Sequence, residues 1–166
     1  SFDLLSALLA QEAGAHRIEL CAGPAEGGTT PGPGLIRAAR ERIHIDLHPI
    51  IRPRGGDFLY SEAEFDVMKK EIAFCKNMGC NGVVIGLLNA DGNIDKIRAA
   101  RLVEMAYPLG VTFHRAFDWA ANPFEALEDI IGLGCERILT SGQQPTAPEG
   151  AERINELVRQ ADDRII

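Results

Sequence analysis

Gly14-Ala15-His16-Arg17-Ile18-Glu19-Leu20-Cys21, Gly79-Cys80-Asn81-Gly82-Val83-Val84-Ile85-Gly86 and Gly134-Cys135-Glu136-Arg137-Ile138-Leu139-Thr140-Ser141 share one local grammar. In each, a helical pattern stops at Gly, which takes up a left-handed C-terminal conformation at little cost, and a short apolar strand begins about three residues later. Two more strands are expected at 45–51 and 111–116, and a last one starts at Arg164-Ile165-Ile166. Between them lie amphipathic patterns from Asp3 to Ala13, Leu35 to Arg42, Glu62 to Met78, Ile94 to Tyr107, Pro123 to Leu133 and Glu149 to Gln160. Pro123 suits a first helical turn with Asn122 as its cap. Strict alternation of helix and strand predicts a parallel α/β sheet with right-handed crossovers.

The spacing narrows the architecture. Strand starts near 17, 45, 83, 111, 137 and 164 repeat roughly every 29 residues, and eight such units would need about 235 residues, the size of a TIM (β/α)8 barrel. The 166 residues therefore read as one domain covering about strands 2–7 of such a barrel, with a leading helix that lacks its strand and a trailing strand that lacks its helix. The rival is an open doubly wound sheet. Strands covered on both faces should be continuously apolar. Here one parity carries Arg17, Glu19 and Cys21, then His44, Asp46, His48 and Arg52, then Thr112 and His114. Polar residues facing one way suit a barrel interior whose upper layer is a site.

Composition excludes several classes. Hydrophobic residues make up 46% and charged residues 25%, which is the balance of a folded globular chain and not of a disordered one. Seventeen Lys+Arg against twenty-four Asp+Glu give a net charge of −7, which disfavours nucleic acid or an anionic membrane as partner. The longest apolar run, Val83 to Leu88, is far short of a membrane span. Four cysteines (Cys21, Cys75, Cys80, Cys135) without a C-x-x-C motif read as reduced thiols of a cytoplasmic protein. No Walker A, G-x-G-x-x-G, G-x-S-x-G or H-E-x-x-H motif is present.

Function in such sheets collects beyond the carboxyl ends of the strands. Glu19 reads either as a carboxylate paired with an Arg or as a general base or metal ligand. Cys21, higher on the same parity, reads as a small core residue or a soft metal ligand. His48-Pro49-Ile50-Ile51-Arg52-Pro53-Arg54-Gly55-Gly56-Asp57-Phe58 sets two arginines beside two glycines, a combination suited to a phosphate or carboxylate. The competing reading has Arg52 and Arg54 pairing with Glu19, Asp57 or Asp118. In Thr112-Phe113-His114-Arg115-Ala116-Phe117-Asp118, His114 is a candidate base that Asp118 could orient, and Arg115 adds a cation. Thr140-Ser141-Gly142 offers hydroxyl and backbone donors to an anion. Cys75, Cys80 and Cys135 fall at the pole opposite Cys21, so the four thiols do not form one closed site.

These same stretches, together with Glu26-Gly27-Gly28-Thr29-Thr30-Pro31 and Leu139-Thr140-Ser141-Gly142, resemble the CutC family, named for copper homeostasis. The resemblance implies a cytoplasmic TIM barrel, a homo-oligomer of dimer size or larger, and Cu(I) as the bound ion. It also implies a cysteine on a first strand that this chain lacks, which would join Cys21 in holding Cu(I). Pro31-Gly32-Pro33-Gly34 departs from the family, which has Ser as the helix cap there. A second expectation, from the residues themselves, is an enzyme acting on a small anion. It would use His48, Arg52, Arg54, Gly55, Gly56, Asp57, Arg115, Thr140 and Ser141 for binding, with Glu19 or His114 as base and Asp118 as its partner.

Overall fold

In a computed structural model, which describes residues 1–166, six α-helices alternate with five short strands. They are α1 (Leu4–Glu12), β1 (Arg17–Leu20), α2 (Pro33–Arg40), β2 (Asp46–Pro49), α3 (Glu62–Asn77), β3 (Gly82–Ile85), α4 (Lys96–Ala106), β4 (Gly110–Phe113), α5 (Pro123–Gly132), β5 (Arg137–Ile138) and α6 (Ala151–Ala161). Single 3-10 turns at Pro24–Glu26 and Arg115–Trp119 follow β1 and β4. Parallel strands form a β1-β2 sheet and a β3-β4-β5 sheet.

The helix ends follow their local chemistry. Asp3 caps α1 by accepting from the Ser6 N–H at 2.8 Å. Ser61 and Glu64 form a reciprocal capping box on α3. Asn122 accepts from the Phe124 and Glu125 amides ahead of Pro123, as its sequence suggests. Helix α4 starts two residues later than the apolar pattern implies, because Asp95 stops outside it and accepts from the Arg98 N–H at 3.1 Å. Helix α6 starts at Ala151 rather than Glu149, after Gly150, which offers no side-chain cap.

The chain divides into two compact units. One comprises Ser1–Asp57, Ser61–Val84 and Met105–Gly110; the other comprises Phe58–Tyr60, Ile85–Glu104 and Val111–Ile166. Inside the first, α1 and α2 pack beside β1 and β2 over a core that includes Ala7, Ile18, Leu20, Ile36 and Leu47. The expected strand at 45–51 is shorter here. After Pro49 the backbone changes partner: the Ile50 N–H still reaches Leu20 O at 3.0 Å, but the Ile51 N–H donates to Val84 O at 2.8 Å.

In the second unit α5 packs against α6, and Phe113, Phe117, Leu127 and Ile130 are buried. The strand expected to reach residue 116 ends at Phe113, because His114 caps the 3-10 turn through its Nδ1, which accepts from the Ala116 N–H at 3.1 Å. The expected final strand makes no ladder. Ile166 alone accepts from the Ile138 N–H at 2.9 Å and donates to Glu136 O at 3.1 Å.

Candidate functional site

Within the first unit, the parallel register pairs Glu19 with His48, so these two stand side by side on one face of the β1-β2 sheet. Glu19 is half-buried and has Arg17 as its cation at 3.5 Å. His48 is 3% exposed, and its ring lies flat against the start of β3. A Cβ at Gly82 would stand 2.3 Å from the ring's Cε1 and 2.4 Å from its Nδ1. Only a residue without a side chain allows this approach.

Cys21 follows β1 directly and is half-buried, and burial pushes its thiol up from the ordinary range. The loop after it closes through an antiparallel bridge, with the Ala22 and Thr29 N–H groups each reaching the other's carbonyl at 2.8 Å. This draws Gly28 across the sulfur, leaving 3.5 Å between Sγ and the place a Cβ would occupy.

Arg52 ties that loop to its own. Its Nη1 donates to Glu26 O at 2.6 Å and Gly28 O at 2.9 Å, and its Nη2 donates to Gly56 O at 2.9 Å. Thr30 completes the stitch: its Oγ1 accepts from the Arg52 N–H at 2.8 Å and donates to Glu71 at 2.9 Å. Arg54 is drawn to carboxylates, with Nε on Glu64 and Nη2 on Asp57 at 2.9 Å. At Gly55, the chain's own Glu26 carboxylate sits where an external anion is expected, only 1.7 Å from a hypothetical Cβ.

The second unit has a comparable cluster around Asp118. Its carboxylate accepts from Thr140 Oγ1, from the Ser141 and Gln143 amides at 3.1 Å, and from Arg115 Nε at 2.8 Å. Burial works to raise its pKa; the hydrogen bonds from Thr140, Arg115 and the two amides outweigh burial and hold it below the usual carboxylate range. The Thr140 and Ser141 donors are thus directed at a carboxylate of the same chain, and the Gly142 N–H donates to Thr140 Oγ1 at 2.9 Å. Arg115 also reaches Ser141 Oγ at 2.5 Å. His114 is 4% exposed and packs beside Phe58, with ring centroids 5.2 Å apart. Its ring covers Gly86, where a Cβ would be 2.3 Å from Cε1. Asp118 serves the loop after β5, while the His114 Nδ1 is engaged by the Ala116 amide.

Sequence reasoning missed four of these participants: Gly82, Gly86, Glu26 and Gln143. A glycine in or bordering a strand is itself a signal of close approach, and it marks the first two. Glu26 and Gln143 lie in loops whose path no periodicity encodes.

All four cysteines are free. Cys135 is a solitary buried thiol, pushed up to about 12 by burial and by Glu136. Cys75 and Cys80 are both buried and interact: the Cys80 thiol and burial push Cys75 up, while Cys75 as donor holds Cys80 down against burial.

The model of the CutC family matches residues 3–166. A family protein CutC of Chromobacterium violaceum is 54% identical over 163 residues, covering 98% of this chain and 66% of the relative. One from Xylella fastidiosa is 52% identical over 164 residues, 99% of this chain and 61% of the relative. The chain thus spans about two thirds or less of the length of these curated relatives. Among solved structures, a putative copper homeostasis protein CutC from Streptococcus agalactiae superposes with a TM-score of 0.94 at 31% identity, covering 99% of this chain and 82% of that one. On the match across residues 3–166, this chain belongs to the CutC family.

Proposed function

We propose that the chain forms part of a copper homeostasis protein that handles Cu(I) in the cytoplasm through thiolate sulfur, as a homo-oligomer built from (β/α)8 barrels of which it supplies about strands 2–7. The observation that supports this most is its 31% identity and 0.94 TM-score to a protein described as a putative copper homeostasis CutC. Free thiols fit the chemistry, because soft sulfur ligands select Cu(I).

Cys21 is the sulfur at the strand end. It stands under Gly28, with Glu19 as a charged neighbour, so it contributes one soft donor where Cu(I) bound by thiolates needs two. Cys21 on its own does not make a complete Cu(I) site.

The enzyme reading is the weaker one. Arg52 and Arg54 are turned onto carbonyls and carboxylates of the same chain, and the Ser141 and Gln143 amides onto Asp118. A small anion would have to displace these groups. The test is an anaerobic competition between the reduced chain and a chromophoric Cu(I) chelator. The expected result is retention of about one Cu(I) per chain; release of all the copper to the chelator would overturn the reading.

A further inference from the structure

Helix α3 ends in a Schellman motif. The Cys80 N–H reaches back to Cys75 O at 3.1 Å, and the Gly79 N–H reaches Lys76 O, also at 3.1 Å. Gly79 supplies the left-handed turn at φ +73°. In this motif the residue two beyond the helix cap folds over the residue three from the helix end, and the two side chains meet. An apolar pair commonly fills those positions; here both are cysteines. Cys75 is 0% exposed and Cys80 4%, and their thiols interact. They are the two sulfurs that the fold brings together, and neither belongs to the cluster around Cys21.

We propose that Cys75 and Cys80 form a two-thiolate site for Cu(I), held by the C-terminal turn of α3. This rests on the copper reading above and gives it a pair of ligands within residues 1–166. Two soft sulfurs presented from one tight turn match the two-coordinate preference of Cu(I). Binding one Cu(I) releases both thiol protons to solvent and leaves a bis-thiolate with one net negative charge. Arg40 stands beside Cys80, placed by its Nη1 bond to Asn81 Oδ1 at 2.6 Å and by its Nη2 bond to Ile43 O, and its cation offsets that charge. Asn77, Gly79 and Asn81 around the pair are exposed, so fraying of one helical turn opens a route in.

The test uses the reduced 166-residue chain and Cu(I) buffered by a chromophoric chelator, in the native sequence and in Cys75→Ser, Cys80→Ser, Cys135→Ser and Cys21→Ser. The site predicts that the Cys75 and Cys80 variants each weaken Cu(I) binding about a hundredfold, while a Cys135→Ser control leaves it unchanged. Because a serine in the interior can unfold the turn, a second measurement uses the native chain alone. Alkylation of the four thiols, mapped by mass spectrometry, should show Cys75 and Cys80 protected by one equivalent of Cu(I) and Cys21 not. X-ray absorption should show two sulfur neighbours on copper. Copper retained but lost in Cys21→Ser, with Cys75 and Cys80 unprotected, overturns this site and leaves the copper reading standing. No retention of Cu(I) by the native chain overturns both. Conversion of the pair to a disulfide by Cu(II) with no Cu(I) held also overturns the site.

Discussion

Arg52 is 6% exposed and gives its guanidinium to three backbone carbonyls, those of Glu26, Gly28 and Gly56. Removing it leaves those acceptors unmet, so Arg52→Ala should cost about 3 kcal/mol in urea unfolding. Arg52→Lys should recover only part of that, because a single ammonium cannot bridge carbonyls that a planar fork reaches at once. Asp118 is the mirror case, an anion held by donors of the loop after β5 and by Arg115. Its folded pKa lies below the unfolded value, so its contribution is present above the unfolded pKa of about 3.9 and is lost as pH falls through the folded one. Asp118→Asn should therefore destabilise the protein by about 1–2 kcal/mol at pH 7 and by much less near pH 2, as read by denaturant unfolding at both. Glu71 has the opposite sign: burial raises it, against the hydrogen bond from Thr30. Its folded-state advantage exists below the unfolded pKa and disappears as pH rises. Glu71→Gln keeps an acceptor for Thr30 and should raise the melting temperature at pH 7 but not at pH 3.

At the scale of elements, the glycine stops were legible. Gly14, Gly79 and Gly134 all lie at positive φ, because no other residue ends a helix that way as easily. Parity was legible too, and it placed Glu19 and His48 on one register. Strand lengths were not: β5 has two residues, and His114 ends β4 by capping instead of continuing it. Loop partners were least legible, since the acceptors that take up Arg52 are main-chain carbonyls, which every residue possesses. Gly86→Ala would drive a methyl into the His114 ring and, at 2.9 Å, the Ala116 Cβ, and should cost about 2 kcal/mol. Combined with His114→Ala, the loss should be smaller than the sum of the single variants in a double-mutant cycle. At α3, Gly79→Ala places a side chain at φ +73° and should cost about 1 kcal/mol, loosening the turn that pairs the two thiols.

For the whole molecule the dominant quantity is a net charge of −7. Exposed ion pairs such as Arg101–Glu104 and Arg164–Glu128 contribute little each. Self-repulsion among the excess carboxylates should therefore outweigh them. Raising ionic strength from about 0.01 M to about 0.15 M at pH 7 should increase the melting temperature; a decrease would mean that attractive pairs dominate. No helix is long and apolar enough to cross a membrane.

The two imidazoles seated on Gly82 and Gly86 carry a kinetic consequence. Each ring packs so close to the main chain that even a methyl there would collide with it, which restrains its rotation. Whatever meets His48 or His114 must conform to a template already set. Such encounters should proceed without a slow rearrangement step, and magnetic resonance of either ring should show a single sharp environment on the millisecond timescale.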